Sequence, residues 1–340
     1  MDTVLKLTTK QRNELFAATS QRSGLRDAII EKDFWVCWTL KQLFGLHAIG
    51  EHLIFKGGTS LSKIYKVINR FSEDIDVSID RSFLGFGGAN EPEEGNTNKE
   101  KQRRVEALKK SCQQRIVNDL LPALLGSFRA LFSPSEKWLV RLDDADPDLQ
   151  TLVFEYPVSV PKTAADYVPR VVKIELGARA DHWPSEVATL TPYVAERFPE
   201  SFKTGSCEVK VLSAERTFWE KATILHAEFH RPADKSAPAR LSRHYCDVYE
   251  LIKKGVAERA VGQLQLLERV AKHKALFFKC SWAKYEEAAK GSLKMFPALA
   301  RLADLRRDYA AMREMFFSEP PAFDPMLAEL RAWESTFNGQ

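Results

Sequence analysis

No two cysteines in this chain stand in Cys-x-x-Cys spacing, and the five present (Cys37, Cys112, Cys207, Cys246 and Cys280) are scattered and odd in number. That pattern indicates neither a disulfide framework nor a zinc–thiolate site and points to a reducing cytoplasm. No run approaches the roughly 18 apolar residues of a membrane-spanning helix, and the first residues are polar, without the apolar centre of a secretory leader. The expectation is a soluble, cytoplasmic protein. An excess of charge of one sign is also missing: 50 Lys and Arg against 46 Asp and Glu leave +4. So mild a value permits nucleic-acid binding without arguing for it, and local clusters matter more. There is no Gly-x-Ser-x-Gly elbow, which disfavours a serine hydrolase. His226 and His230 lie four apart, but the acid between them is Glu228 and does not directly follow the first histidine as in His-Glu-x-x-His, which disfavours a zinc enzyme. No internal repeat is visible. With 44% hydrophobic and 28% charged residues over 340 positions, the chain has the balance of an ordinary globular protein large enough for one or two domains.

What is present centres on one stretch, Phe55-Lys56-Gly57-Gly58-Thr59-Ser60-Leu61 running on to Ser72-Glu73-Asp74-Ile75-Asp76-Val77-Ser78-Ile79. The apolar run Leu53-Ile54-Phe55 reads as a strand. Leu61, Ile64, Tyr65 and Ile68 recur at helical spacing, so the glycines sit between a strand and a helix. Adjacent glycines let backbone N–H groups approach an anion closely, and Thr59 and Ser60 put hydroxyls at a helix N-terminus, where the dipole favours phosphate. An ordinary tight turn explains the same four residues. Beyond the helix the period becomes two: Ile75, Val77 and Ile79 share one face, and Asp74, Asp76 and Ser78 the other. Two carboxylates on one strand face suit a hard divalent cation, although Asp-x-Asp is also common on solvated strands.

Upstream, residues 10–49 read as helices, with Ile30, Phe34, Cys37 and Trp38 on one apolar face. Residues 84–104 are rich in Gly, Asn, Glu, Pro and Lys and lack a hydrophobic period, which predicts an exposed, mobile loop. A helix is expected over Val105–Phe132, broken or kinked at Pro122. Its start is basic, with Lys99, Lys101, Arg103, Arg104, Lys109, Lys110 and Arg115; this is either a solvated face or an arm that steers RNA. Strands are expected over Trp138–Leu142, Thr151–Val160, Arg170–Leu176 and Cys207–Leu212. Glu175 lies on the polar face of the third of these, with Glu155 on the preceding strand as its rival for a third carboxylate. From Ser213 onward the pattern is helical.

Two of those helices carry further candidates. Lys221 borders the apolar stripe Phe218, Ala222, Leu225 and Phe229; it either snorkels to solvent or presents an ammonium to phosphate. Arg243 and Asp247 stand four apart, the spacing of a simple surface ion pair.

Strand, Gly-Gly-Thr/Ser turn, helix and Asp-x-Asp strand together resemble the nucleotidyltransferase active site. The Ser-Glu-Asp-Ile-Asp core resembles the AbiEii/AbiGii toxin family of bacterial toxin–antitoxin and phage-defence systems. Three further blocks match that family: Glu31-Lys32-Asp33-Phe34-Trp35-Val36, Phe218-Trp219-Glu220-Lys221 through His226, and Arg243 through Leu251. The resemblance covers most of residues 31–251. It implies an α+β fold: a nucleotidyltransferase-like mixed β-sheet core with N-terminal helices and a C-terminal helical bundle. A nucleotidyltransferase-like domain would span 1–212, with its core at 50–212 and the mobile loop at about 84–104. A helical domain over 213–340 would complete the active site.

By the same resemblance, Asp74, Asp76 and Glu175 hold Mg²⁺. Gly57, Gly58, Thr59, Ser60, Lys221 and Arg243 bind the nucleotide, and Asp74, Asp76, Lys221 and Asp247 are catalytic. The implied activity is transfer of NMP from an NTP to an acceptor, foremost the 3′ end of RNA or tRNA. Such a transfer would block translation, and a toxin of this kind needs a cognate antitoxin. The alternatives are a nucleotidyltransferase acting on a small molecule or protein, and a non-catalytic nucleotide sensor.

Overall fold

The computed structural model describes residues 1–162 and 169–340. They fall into two compact units, one formed by residues 1–64 and 72–212 and the other by 65–71 and 213–340.

The first unit opens with α1 (Thr9–Ser23) and α2 (Asp27–Phe44). A capping box in which the Thr8 and Gln11 side chains each take up the other's backbone N–H starts α1. The strand β1 (Leu53–Lys56) leads directly into α3 (Gly57–Lys63), and β2 (Ile75–Ile79) follows. The helix α3 is shorter than the apolar spacing through Ile68 suggests, because Lys66 adopts a left-handed φ of 53° that a helix cannot carry. Residues 88–94 form two short 3₁₀ turns, and α4 (Asn98–Arg115) begins inside the stretch read as a loop. The Thr97 hydroxyl accepts the Glu100 N–H and starts it, a local signal that outweighs the absence of hydrophobic period. The break in the following helix lies over Ile116–Leu120, a π turn. Pro122 comes after the break, in the first turn of α5 (Leu121–Leu131), where its missing N–H costs nothing.

The strands β3 (Leu139–Leu142), β4 (Thr151–Glu155), β5 (Val171–Gly177), β6 (Ser185–Leu190) and β7 (Cys207–Leu212) complete one mixed sheet of order β3-β4-β5-β2-β1-β7-β6. The short α6 (Tyr193–Arg197) lies between β6 and β7. β4 stops at Glu155, short of the expected end at Val160. β6 was not expected from the sequence. It joins the sheet through β7, and Glu186 and Val187 are exposed, so no apolar alternation marks it.

One face of the sheet is apolar. Ile75, Val77, Phe55, Val211, Ile174, Val172 and Phe154 are all buried there, and α2 packs against β5 and β7 and puts Trp35 and Trp38 on Phe154. Trp35 stacks on Tyr156 at 5.6 Å between centroids, and Trp38 meets Phe128 at 4.6 Å. The opposite face carries the charged residues of the same strands.

The second unit is helical apart from an isolated bridge: α7 (Ala214–Phe229), α8 (Ser242–Lys253), α9 (Val256–Val261), α10 (Leu264–Phe277), α11 (Leu302–Ala311) and α12 (Phe323–Asn338). Phe218, Trp219, Trp333 and Phe337 form its aromatic centre. No helix among the described residues is long and apolar enough to cross a membrane.

Candidate active site

In the first unit, pairing register puts Asp76 beside Glu175 of β5 on one side and beside Lys56 of β1 on the other. Paired residues share a face, so all three project from the charged side of the sheet, as does Lys173 two residues before Glu175. The Lys56 Nζ lies 3.8 Å from Asp76 Oδ1, and both side chains are about one-quarter exposed. Lys56 therefore stands at the carboxylate pair, although its sequence position, just before the glycines, gave no cue to which way it points. Lys173 donates to Asp143 at 2.7 Å. That bond, against a smaller loss from burial and with the Asp74 and Glu175 charges adding to it, raises the Lys173 proton affinity.

Gly57 explains the close fit of Asp76 to the start of α3. Its φ is 79°, and a Cβ at this position would lie 2.0 Å from Asp76 Oδ2. Only glycine accommodates both the backbone and the carboxylate. Thr59 and Ser60 are arranged differently from the sequence expectation. Both are buried: the Thr59 hydroxyl donates to the Asp74 carbonyl and the Ser60 hydroxyl to the Gly57 carbonyl at 2.8 Å. Their hydroxyls brace the turn, and the half-exposed backbone of Gly57 and Gly58 is what remains open to an anion.

The donor set suits a hard cation, being carboxylate oxygen throughout on neighbouring strands. Among the described residues, however, no three His, Cys, Asp or Glu side chains converge closely enough to hold a metal ion. Strand register supplies the shared face, and side-chain rotation is left to bring the oxygens together.

The block Glu31-Lys32-Asp33, for which the sequence offered no chemistry, braces this region from α2. Lys32 is buried and donates to Glu73 at 2.7 Å, directly before Asp74. Asp33 holds Lys63, the last residue of α3, at 2.7 Å. Glu31 accepts from the Val160 N–H at 3.2 Å and from Arg170 at 2.8 Å.

In the second unit, Asp247 is fully buried, and its partner is not Arg243. Arg70 grips it with Nε on Oδ1 at 2.7 Å and Nη2 on Oδ2 at 2.8 Å. Lys221 Nζ donates to Oδ2 at 2.7 Å. Burial alone would raise the Asp247 pKa, but Arg70 and Lys221 outweigh it and hold the carboxyl well below the usual carboxylate range. Burial pushes Lys221 below its ordinary value, and Asp247 offsets only part of that. Lys221 is 6% exposed, so it does not snorkel, and two of its three donors have no partner among the described residues. Arg243 is half-buried one turn before Asp247, with no side-chain hydrogen bond or ion pair among the described residues. Glu155 engages Arg141 at 3.3 Å, at the far side of β5 from Asp76. His226 has both ring nitrogens occupied, by the Lys284 carbonyl and the Lys294 N–H at 3.0 Å each, which leaves none for zinc.

Comparison with known proteins adds a family. No curated protein matches the sequence. Two similar solved structures are MenT4, a nucleotidyltransferase toxin from Mycobacterium tuberculosis H37Rv, and JHP933 from Helicobacter pylori. The first is 14% identical, with 87% of this chain and 98% of that chain covered at a TM-score of 0.36. The second is 15% identical, with 91% and 95% covered at a TM-score of 0.34. A family model described as the nucleotidyl transferase AbiEii toxin of type IV toxin–antitoxin systems matches residues 38–336. With that span running from α2 into α12, the chain belongs to the AbiEii family of nucleotidyl transferase toxins.

Proposed function

We propose that this protein transfers NMP from an NTP to the 3′ end of RNA, tRNA foremost, and so blocks translation as the toxin of a toxin–antitoxin or phage-defence pair. The single observation that carries the reading is the Asp76–Glu175 register pair, with Asp76 seated against Gly57. An acceptor hydroxyl loses its proton to solvent as its oxygen bonds to the α-phosphorus, the bond from that phosphorus to the bridging oxygen breaks, and pyrophosphate leaves. Asp74, Asp76 and Glu175 would hold Mg²⁺, which when bound stabilises the charge that develops and lowers the acceptor's proton affinity. The Gly57 and Gly58 backbone accepts the β- and γ-phosphates. Lys56 balances the carboxylates, and in the second unit Lys221 supplies positive charge to the triphosphate, with Arg243 as an additional cation. Lys99, Arg103 and Lys110 are exposed along α4 and suit the backbone of an RNA. Arg104, Lys109 and Arg115 are engaged by Glu100, Asp148 and Asp119 and contribute less.

The test is incubation with each α-³²P-NTP, Mg²⁺ and total bacterial RNA, with Asp76→Ala beside the wild type. Label on RNA that vanishes in the variant is expected. Nucleotide binding without RNA labelling would remove RNA from the reading and leave a small-molecule or protein acceptor, or a sensor.

A further inference from the structure

Three side chains in the second unit form a buried chain of charge in which the middle member is shared. Asp247 Oδ2 accepts from both Arg70 Nη2 and Lys221 Nζ, and Oδ1 accepts from Arg70 Nε. Arg70 uses its third nitrogen on the Phe71 carbonyl at 3.3 Å and is 3% exposed. Its fork engages both oxygens of Asp247. Lys221 is the member with donors to spare. Two cations share one carboxylate here, so the position of the Lys221 ammonium depends on how Arg70 holds Asp247.

Arg70 is itself held from the far end of the chain. Residues 69–71 pair antiparallel with residues 315–318: the Phe71 N–H donates to the Met315 carbonyl at 2.7 Å, and the Phe317 N–H donates to the Asn69 carbonyl at 3.3 Å. Asn69 also donates to the Ser318 hydroxyl. Phe317 meets Phe71 at 6.5 Å between ring centroids, and Phe316 meets Tyr309 of α11 at 5.9 Å. The short segment 65–71, far in sequence from the rest of this unit at 213–340, is thus fastened into it.

We propose that Arg70 is a positioning residue for the Lys221 ammonium, acting through Asp247, and that residues 315–318 are the strap that fixes Arg70. This rests on the reading of Lys221 as a phosphate-binding cation. A fork on both carboxylate oxygens fixes the plane of Asp247, and that plane fixes where the Lys221 ammonium sits. The C-terminal helices then have a role at a distance, since α11 and the strap after it set the geometry of Lys221 on α7.

The experiment compares wild type, Arg70→Lys, Lys221→Ala, the double variant and Phe317→Pro. Binding of ATP, GTP, CTP and UTP with Mg²⁺ is measured by calorimetry. The rate at which N-hydroxysuccinimidyl acetate modifies Lys221 is measured by mass spectrometry, with the exposed Lys10 as internal reference. Both readouts use the fraction that elutes from a sizing column where the folded wild type does, so that unfolded protein does not contribute. Arg70→Lys is expected to weaken nucleotide binding about tenfold. It should do so only where Lys221 is present, the double variant binding no more weakly than Lys221→Ala. Acetylation of Lys221 should accelerate at least about fivefold in Arg70→Lys and in Phe317→Pro. A merely structural Arg70 would lower the folded fraction without changing affinity or non-additivity. Unchanged affinity in Arg70→Lys, or an equal loss in the Lys221→Ala background, overturns the proposal. If the wild type binds no nucleotide, the phosphate-binding reading fails, and the acetylation rates alone decide whether Arg70 positions Lys221. Unaltered acetylation in Phe317→Pro removes the strap.

Discussion

A missing Cβ at residue 57 constrains this protein more tightly than most of its side chains do. Gly57→Ala would place a methyl 2.0 Å from Asp76 Oδ2 on a backbone with φ of 79°. The carboxylate must swing away, and the expected result is about a 100-fold fall in kcat/KM, with a stability cost of about 1–3 kcal/mol. Paired activity and denaturant titrations would separate the two, and a variant with normal activity would remove Asp76 from its present seat. Asp247 makes the complementary case. Asp247→Asn leaves the Arg70 guanidinium and Lys221 ammonium buried without their anion, and the expected destabilisation is about 3–5 kcal/mol in urea unfolding. Sequence pattern suggested Arg243 as the partner of Asp247 because it stands four residues away. Arg70 was not suggested, since 177 positions separate it from Asp247 and a period carries no information at that range.

At the scale of elements, α2 illustrates how a helix can be mostly buried and still carry charge. Its apolar face was readable from Ile30, Phe34, Cys37 and Trp38, but Glu31, Lys32 and Asp33 are buried too. Each finds a partner on a different segment, which no inspection of α2 alone can supply. Lys32 and Glu73 are 2% and 9% exposed in their side chains. Lys32→Met should therefore cost about 3 kcal/mol by removing the buried ammonium that Glu73 accepts from. Adding Glu73→Leu should recover most of that loss, because two packed apolar chains replace an ion pair nearly without penalty. If the double variant is as unstable as the single one, Glu73 has a further structural duty. The elements that escaped sequence reading did so for local reasons: β6 is a polar edge strand, and α4 is started by a threonine cap within a polar stretch. α3 ends at Lys63, and the left-handed Lys66 just beyond it keeps the helix from running on to Ile68.

Across the whole molecule, acid stability should report on buried histidine. His226 accepts the Lys294 N–H at Nδ1, so Nε2 carries the proton given to Lys284. Burial pushes its pKa down to about 4. A histidine depressed in the native state is protonated first in the unfolded chain. Its contribution is fully present above pH 6.5 and is lost as pH falls toward about 4, by about 2 kcal/mol. His182, which bonds Ser78 at 2.7 Å, is also pushed down to about 4 and contributes separately in the first unit. Thermal melts between about pH 7.5 and 4 should fall more steeply for wild type than for His226→Gln. Parallel curves would show that His226 is not titrating in this window.

The sequence by itself determined the order strand, glycine turn, helix and strand, with Asp76 on the polar face of β2 and Asp74 directly before that strand, and the helical character after Ser213. These follow from periods of about 2 and 3.6 and from the backbone freedom of glycine, all properties of neighbouring residues. Tertiary structure alone decided that Glu175 sits level with Asp76, that Lys56 faces the same carboxylate, and that Thr59 and Ser60 turn inward. It alone assigned Asp247 to Arg70 and Lys221. The reason is physical. A buried charge must find an opposite charge or a hydrogen bond wherever the chain brings one within about 3 Å, and that encounter is set by the packing of whole elements.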